Sequence, residues 1–236
     1  MTTTPSIQLE MQGPLALMTM TQPARGNPFD GDFTRDFKTI AEALWQQHEG
    51  GALRGVLLRT DGANYSYGGD LKSFYPVRDR LPALVREWTA NLHMGLQRFA
   101  QLPVPVVTAV QGFAMGGGVA LMAGCDVVLA GQGSRFGSAF AQLGFSCDSG
   151  SRATLTMRMG AARARRFVML AEVLGSEQAL QAGLETGWWP TINCRPRPWP
   201  WLRTWPMGPR WPMARSSACS CGPARRSTPP SWRMRR

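Results

Sequence analysis

The sequence predicts an α/β fold in which parallel strands alternate with helices. Apolar runs of strand length lie at residues 56–58, 104–110 and 126–130, and segments with apolar residues at helical spacing separate them. Two glycine-rich turns, Gly68-Gly69-Asp70 and Gly116-Gly117-Gly118, each come after one of these runs and open a segment with helical character. Alternation of this kind is typical of parallel sheets flanked by helices.

The predicted elements fill residues 1–186 without a strong internal repeat. In chain order they are strands at 7–9 and 15–20, a helix at about 33–44, a strand at 56–58, a helix at 81–102, a strand at 104–110, a short helix at 119–123, a strand at 126–130, and helices at 149–159, 161–174 and 176–182. Gly13-Pro14 and Asn27-Pro28 mark turns between them. Ser176 is placed to cap the last helix.

The charge of the chain is concentrated at one end. The 236 residues carry a formal net charge of +11, but residues 187–236 contain ten Arg and no Lys, Asp or Glu, so residues 1–186 are close to neutral. The same segment holds seven of the nine Trp and ten of the eighteen Pro. Repeated prolines forbid a helix or an interior strand there. We therefore expect a core over 1–186 and a disordered Arg/Trp/Pro-rich tail over 187–236.

The composition of this tail suggests a shift of reading frame near Gly187. Tryptophan has the single codon TGG, so reading one nucleotide earlier turns Trp189-Pro190 into Val-Ala, and the shifted frame can encode a turn followed by an amphipathic helix. The other interpretation is an evolved Arg/Trp-rich tail that binds nucleic acid, which predicts a steeply salt-dependent affinity. Sequencing the DNA around codon 187 would decide between them.

The remaining composition favours a cytoplasmic protein without a membrane span. No stretch of 18 apolar residues occurs, and the first residues lack the basic start and apolar run of a signal peptide. The five cysteines have no regular spacing, so the sequence predicts neither a disulfide framework nor a metal site. The near-neutral core gives no reason to expect nucleic-acid binding.

Several motifs lie in a fixed order along the core, and together they are specific. They are Arg25-Gly-Asn-Pro-Phe29, Tyr65-Ser-Tyr-Gly-Gly-Asp-Leu-Lys72, Pro105-Val-Val-Thr-Ala-Val-Gln-Gly-Phe-Ala-Met-Gly-Gly-Gly118, Cys125-Asp-Val-Val-Leu-Ala130 and Phe136 with its following loop. In this order and spacing, residues 7–186 resemble the enoyl-CoA hydratase/isomerase (crotonase) family. The resemblance implies a spiral of ββα units, with the family's C-terminal helices missing or disordered here.

By that resemblance, the backbone N–H groups of Gly69 and Gly117 form an oxyanion hole around the thioester carbonyl of an acyl-CoA. The physical chemistry agrees, because preorganised donors act best where negative charge develops. The resemblance also implies a substrate-binding set, in which coenzyme A enters with the substrate and no other cofactor is needed. That set is Arg25, Tyr67, Gly68, Asp70, Leu71, His93, Phe113, Gly116, Phe140 and Gly144.

The departures from the family pattern bear on the reaction. Hydratases of the family use two glutamates, and the matching positions here are Ala120 and Phe140. One acid stays in the right loop, Asp148, where isomerases such as the ring-epoxide isomerase of phenylacetyl-CoA breakdown carry an acidic residue. We therefore expect an enoyl-CoA isomerase in which Asp148 transfers a proton. Alternatively, Asp148 caps the following helix, a role compatible with catalysis.

Two other functions stay open at this point. In the 4-chlorobenzoyl-CoA dehalogenase branch, an aspartate and a histidine at the places of Asp148 and His93 act as nucleophile and water activator. The chain could instead be a non-productive family member with impaired coenzyme A binding, since the family's C-terminal helices help to close the pocket and build a homotrimer or hexamer. Gel filtration and titration with CoA esters would discriminate among these possibilities.

Overall fold

The computed structural model describes residues 5–189, with backbone alone for the last two of them. The strands are β1 (Ile7–Gln12), β2 (Leu15–Met20), β3 (Gly55–Thr60), β4 (Val106–Val110), β5 (Phe113–Met115), β6 (Val127–Gly131), β7 (Arg135–Gly137), β8 (Val173–Gly175) and β9 (Gly187–Trp189). The helices are α1 (Gly31–Glu49), α2 (Leu71–Phe74), α3 (Leu81–Ala100), α4 (Gly117–Ala123), α5 (Ser151–Met159), α6 (Ala161–Met169) and α7 (Ser176–Gln181). The predicted α/β fold is confirmed.

The larger sheet has six strands in the order β1-β2-β3-β4-β6-β9. β1 and β2 are antiparallel, as the turn between them predicts, and every other pair is parallel. All residues of β2 and of β4 are buried. Strands buried on both faces explain why these segments are continuously apolar rather than alternating.

A smaller sheet of β5, β7 and β8 was not predicted from the sequence. Each of its strands has three residues, too few to give a periodic signal. β8 pairs antiparallel with β7, so the helix predicted at 161–174 ends at Met169. Residues 173–175 cannot continue the helix, because their backbone groups pair with β7. This sheet matters for function, since β5 leads directly into the second glycine turn.

Helices α1 and α3 pack against each other and against the large sheet. Asp30 caps α1 by accepting a hydrogen bond from the N–H of Phe33 (3.0 Å). At the contact, the rings of Phe37 and Phe99 meet edge to face with centroids 5.4 Å apart. A Cβ on Gly95 would lie 2.7 Å from the Phe37 ring, so glycine permits this close approach. Together, α1 and α3 form one side of the site described below.

Several predicted helix starts in the second half of the core need correction. α4 begins at Gly117, two residues earlier than predicted. α5 begins at Ser151 with Gly150 at its N-cap position, two residues later than predicted. Ser176 is the first residue of α7 and not its cap, because its hydroxyl donates to the carbonyl of Gly131 (2.7 Å). The Gln178 side chain instead accepts a hydrogen bond from the N–H of Gly175 (3.0 Å).

The last described strand, β9, begins at Gly187, the first residue of the predicted tail. β9 pairs in parallel with β6, from Leu129 opposite Gly187 onward. Residues 190–236 lie outside the described part of the chain, so the disorder and the frame shift predicted there stay predictions. Within the described residues, no helix combines the length and the apolar character needed to cross a membrane.

Candidate active site

The two glycine turns come together because the loop after β3 pairs with β5. The N–H of Ser66 donates to the carbonyl of Phe113 (3.0 Å), and the N–H of Met115 donates to the carbonyl of Ser66 (2.9 Å). This pairing brings Gly68 against Gly117, so that a Cβ on Gly68 would lie 3.0 Å from the Gly117 nitrogen. Gly68 also has φ +81°, in the left-handed region that favours glycine. Glycine is therefore required at position 68, where the two turns are in contact.

The turns present two backbone donors in this region. Among the described residues, neither the N–H of Gly69 nor that of Gly117 has a hydrogen-bond acceptor within the protein. Both residues line one cavity, together with Gly116. Backbone N–H groups that face a cavity without a protein acceptor can bind an oxygen that gains negative charge, as predicted for these two residues.

The cavity has a volume of about 200 Å³ and is mostly apolar. Its side-chain lining comes from the first turn of α1, the glycine turns, α2, α3 and the loop between β7 and α5. The lining residues are Phe29, Thr34, Tyr67, Gly69, Leu71, Phe74, Leu81, Val85, Trp88, Thr89, Leu92, Gly116, Gly117, Ser138, Ala139, Phe140, Leu143, Phe145, Asp148 and Ser149. Among these residues Asp148 alone carries a charge.

Asp148 lies at the exposed side of the cavity and is held by its neighbours. The buried Ser149 hydroxyl donates to Asp148 Oδ1 (2.9 Å), and the N–H of Ser151 donates to the Asp148 carbonyl (2.9 Å). Ser149 has φ +53°, an uncommon conformation for a non-glycine residue. The Asp148 side chain does not cap α5, whose N-cap position is Gly150. Its carboxylate is thus oriented by a hydroxyl, in a residue that lines the cavity.

The two positions where hydratases of the family carry glutamate hold apolar side chains here. Phe140 is 8% exposed and lines the cavity, and Ala120 is 1% exposed within α4. Neither side chain can donate or accept a proton. Within the described lining of the cavity, Asp148 is the one carboxyl group.

Arg25 joins two carboxylates at the edge of the site. Its Nη2 lies 2.6 Å from Asp70 Oδ2 and 2.8 Å from Asp30 Oδ2. The hydrogen bond to Asp70 raises the pKa of Arg25 above its usual value. Burial would raise the pKa of Asp70, but its hydrogen bond with Arg25 and those from the start of α2 lower it. Arg25 and Asp70 therefore tie the loop before α1 to the first glycine turn.

The other predicted substrate-binding residues divide into two groups. Tyr67 and Leu71 line the cavity, and the Tyr67 ring stacks on Phe113, with centroids 5.7 Å apart, while Phe113 itself is not part of the lining. Gly144, with φ +69°, ends a short 3₁₀ turn outside the lining. His93 is exposed on α3 and does not line the cavity, so the structure does not bring it together with Asp148.

Two features of the site were not identified from the sequence. Trp88 was interpreted as part of the apolar face of a helix, yet it lines the cavity beside Phe74, with ring centroids 5.8 Å apart. Its place among the apolar residues of the long helix was the available signal. No sequence signal identified Ser149, because its contact with Asp148 depends on an unusual backbone conformation. In the described part of the chain, no group of three His, Cys, Asp or Glu side chains is arranged to hold a metal ion.

Comparison of the sequence with known protein families and proteins identifies relatives of this chain. A family model described as enoyl-CoA hydratase/isomerase matches residues 10–193. A protein named probable enoyl-CoA hydratase from Rhodobacter capsulatus is 31% identical over 179 residues, covering 76% of this chain and 66% of the relative. The 1,2-epoxyphenylacetyl-CoA isomerase of Escherichia coli is 33% identical over 175 residues, covering 71% of this chain and 63% of that protein. The matches thus span slightly less than two thirds of these relatives.

Solved structures show the same fold. A crystal structure of an enoyl-CoA hydratase from Polaromonas sp. JS666 superposes with a TM-score of 0.70 at 25% identity, covering 77% of this chain and 69% of that one. One from Mycobacterium avium subsp. paratuberculosis, also titled enoyl-CoA hydratase, has the same TM-score and identity, with 80% and 73% covered. The fold implied by the sequence motifs is therefore confirmed.

Proposed function

Because the chain belongs to the enoyl-CoA hydratase/isomerase family, we propose that it acts on acyl-CoA thioesters through an enolate, as an enoyl-CoA isomerase. The observation that carries this proposal is the pairing of two backbone donors, Gly69 and Gly117, with a single carboxylate, Asp148, around one apolar cavity. Such a cavity can hold an acyl group while the two N–H groups bind the thioester oxygen.

The proposed reaction moves a double bond without changing the composition of the substrate. The carboxylate of Asp148 removes a proton from the carbon next to the thioester carbonyl of a 3-enoyl-CoA. The electron pair of the broken C–H bond moves onto the carbonyl oxygen, where the N–H groups of Gly69 and Gly117 stabilise it. The protonated Asp148 then returns the proton to the far end of the double bond, giving a 2-enoyl-CoA. Coenzyme A enters and leaves with the acyl group, so no further cofactor takes part.

Isomerisation is preferred to hydration because of what lines the cavity. Addition of water needs one group to activate the water and a means of delivering the proton, and two glutamates do this in the hydratases that the chain resembles. Here those positions are Ala120 and Phe140, and Phe140 places an aromatic ring in the cavity wall. Asp148 alone can take up a proton and give it back, which suits an isomerase.

The decisive test is the substitution Asp148→Asn with a 3-enoyl-CoA as substrate. The amide has the same size but cannot accept the proton, so we expect kcat to fall about 10²- to 10⁴-fold. Binding of a saturated CoA ester, measured by calorimetry, should change little. The matched control is Asp79→Asn, which alters an exposed carboxyl outside the cavity lining and should leave kcat unchanged.

The outcomes also separate the alternatives retained from the sequence. Unchanged turnover in Asp148→Asn would contradict the proposal. Failure of the unsubstituted chain to bind any CoA ester would favour the non-productive family member instead. The dehalogenase-like hydrolase gains no support, because His93 does not line the cavity. Assembly into a homotrimer or hexamer and a cytoplasmic location stay predictions.

A further inference from the structure

The hydroxyl of Ser66 connects the first glycine turn to the loop before α1. Ser66 is fully buried, and its Oγ donates a hydrogen bond to the carbonyl of Asn27 (2.7 Å) and accepts one from the N–H of Gly68 (3.0 Å). A serine hydroxyl has one hydrogen and two acceptor lone pairs, so it can make both bonds at the same time. Ser66 does not line the cavity, so any effect that it has on a substrate passes through the glycine turn.

This hydrogen bond determines which backbone donor of the turn stays free. The N–H of Gly68 is bound by Ser66, and the carbonyl of Gly68 accepts a hydrogen bond from the N–H of Phe29 (2.8 Å). Among the described residues, the N–H of Gly69 has no acceptor, and Gly69 lines the cavity. We propose that Ser66 is a positioning residue of the oxyanion site: its hydroxyl binds the N–H of Gly68 inside the protein and thereby presents the N–H of Gly69 to the thioester oxygen.

The acceptor of the Ser66 hydroxyl is itself held in place. Asn27 is 2% exposed and has φ +49°, an uncommon conformation for a residue other than glycine. Its side-chain NH₂ group donates to backbone carbonyls that include those of Asn64 (3.2 Å) and Tyr65 (3.1 Å), and its Oδ1 accepts from the N–H of Gln22 (2.9 Å). Because the Asn27 side chain is bound on both ends, the Asn27 carbonyl is a fixed point to which Ser66 anchors the turn.

Ser66 also contacts the segment that carries the second glycine turn. Its carbonyl accepts a hydrogen bond from the N–H of Met115 (2.9 Å), and its Oγ would lie 3.2 Å from a Cβ on Gly118. Ser66 therefore lies between the segments that supply the N–H groups of Gly69 and Gly117. Donors that are fixed before the substrate binds need no reorganisation when charge develops on the oxygen. A shift of Ser66 would move both donors from their positions.

This inference rests on the proposed function, and Ser66→Ala tests it with a readout that a merely structural role would not move. The probe is butanoyl-CoA labelled with ¹³C at the thioester carbonyl, whose stretching frequency falls when hydrogen bonds polarise the C=O bond. We expect the unsubstituted chain to lower this frequency on binding and Ser66→Ala to lower it less. With a 3-enoyl-CoA, kcat should fall about 10- to 100-fold, less than or equal to the loss of a whole oxyanion donor. Affinity for butanoyl-CoA, measured by calorimetry, should change less than about threefold.

Two further variants make the test specific. Ser176→Ala is the matched control, because the Ser176 hydroxyl is equally buried and donates to the Gly131 carbonyl at the same distance (2.7 Å), outside the cavity lining. It should leave the carbonyl frequency and kcat unchanged. Ser66→Cys keeps a weak donor and a weak acceptor at the position, so both readouts should lie between those of the unsubstituted chain and Ser66→Ala. If Ser66→Ala does not fold, Ser66→Cys serves as the test with the same two readouts.

The carbonyl frequency separates failure of the inference from failure of the proposed function. If Ser66→Ala lowers the free energy of unfolding but polarises the carbonyl as strongly as the unsubstituted chain, Ser66 has a structural role alone and the inference is wrong, while the proposed function stands. Equal losses in Ser66→Ala and Ser176→Ala would overturn it as well. If the unsubstituted chain binds butanoyl-CoA without lowering the frequency, the oxyanion site and the proposed function fail together.

Discussion

At the scale of the residue, the hydroxyl of Ser149 fixes the orientation of the Asp148 carboxylate. Ser149 is 3% exposed, and its hydroxyl donates to Oδ1 of Asp148, which lines the cavity. A donor of this kind restricts the rotation of the carboxylate. The positive φ of Ser149 costs free energy, and the surrounding loop must offset it. Ser149 thus acts through Asp148 as a positioning residue of the proposed reaction.

Replacement of Ser149 by Ala tests this role. Without the donor, the carboxylate is free to rotate away from the orientation that the proposed proton transfer needs. We expect kcat to fall about tenfold with little change in KM. Ser151→Ala is the control, because the Ser151 hydroxyl donates to the Asp148 carbonyl (2.6 Å) and not to its carboxylate. An equal fall of kcat in both variants would argue against a specific role for Ser149.

Part of the site could be predicted residue by residue. The rest could not, because it depends on three-dimensional geometry. Gly69, Gly117 and Asp148 were predicted from motifs whose spacing is specific, and the structure places all three around one cavity. His93 was predicted to bind substrate, and only the dehalogenase alternative placed it with Asp148. Helix α3 lines the cavity with residues such as Trp88 and Leu92, and His93, which follows Leu92, is rotated by roughly 100° about the helix axis. A prediction from sequence motifs does not include the direction in which a residue points from its helix.

At the scale of the element, the proposed oxyanion site depends on how closely α4 approaches the loop after β3. A Cβ on Gly118 would lie 2.9 Å from both the Cβ and the carbonyl oxygen of Ser66. The backbone oxygen cannot move aside cheaply, because Ser66 is paired with β5 through its N–H and C=O. The small residues at the start of α4 therefore set the spacing between the two N–H donors.

Replacement of Gly118 by Ala should push α4 away from this loop. We expect a loss of about 1–3 kcal/mol in the free energy of unfolding, measured by denaturant titration, together with a lower kcat. Gly124→Ala is the matched control at the other end of α4, where the nearest atom to a new Cβ is 3.4 Å away. Equal effects at both ends would indicate that the helix, and not the contact with Ser66, determines the result.

The elements themselves were predictable in proportion to their length. Long helices such as α1 and α3 and the buried strands of the large sheet show clear apolar patterns, and they were found. The small sheet was missed because its strands are too short for periodicity and form through pairing between distant segments. The start of the second glycine turn depends on that sheet, so the sequence predicted the turn but not what holds it in place.

At the scale of the whole molecule, one buried acid makes stability depend on pH. Glu185 is 2% exposed, and neither carboxylate oxygen has a hydrogen-bond partner among the described residues. Burial raises its pKa from 4.5 to about 7. The folded chain therefore holds this proton up to about pH 7, whereas the unfolded chain releases it near pH 4.5. As pH rises through this window the folded state binds more protons than the unfolded state, so stability falls.

Replacement of Glu185 by Gln should remove this dependence. We expect the free energy of unfolding of the unsubstituted chain to fall between about pH 4.5 and 7, by at most about 1.4 kcal/mol per pH unit from this group, and the Gln variant to lack that fall. Denaturant titrations at several pH values measure it. Glu177→Gln, at an exposed position of α7, provides the reference. If both variants follow the unsubstituted curve, Glu185 is not the group responsible.

A cavity whose lining carries one negative charge and no positive charge also discriminates by the charge of what enters it. Acyl groups derived from dicarboxylic acids would bring a second carboxylate close to Asp148, and the lining has no arginine or lysine to compensate it. Two like charges close together repel each other. Thioesters of succinate or glutarate should therefore be excluded from the site on electrostatic grounds, even though these acyl chains are short enough to fit.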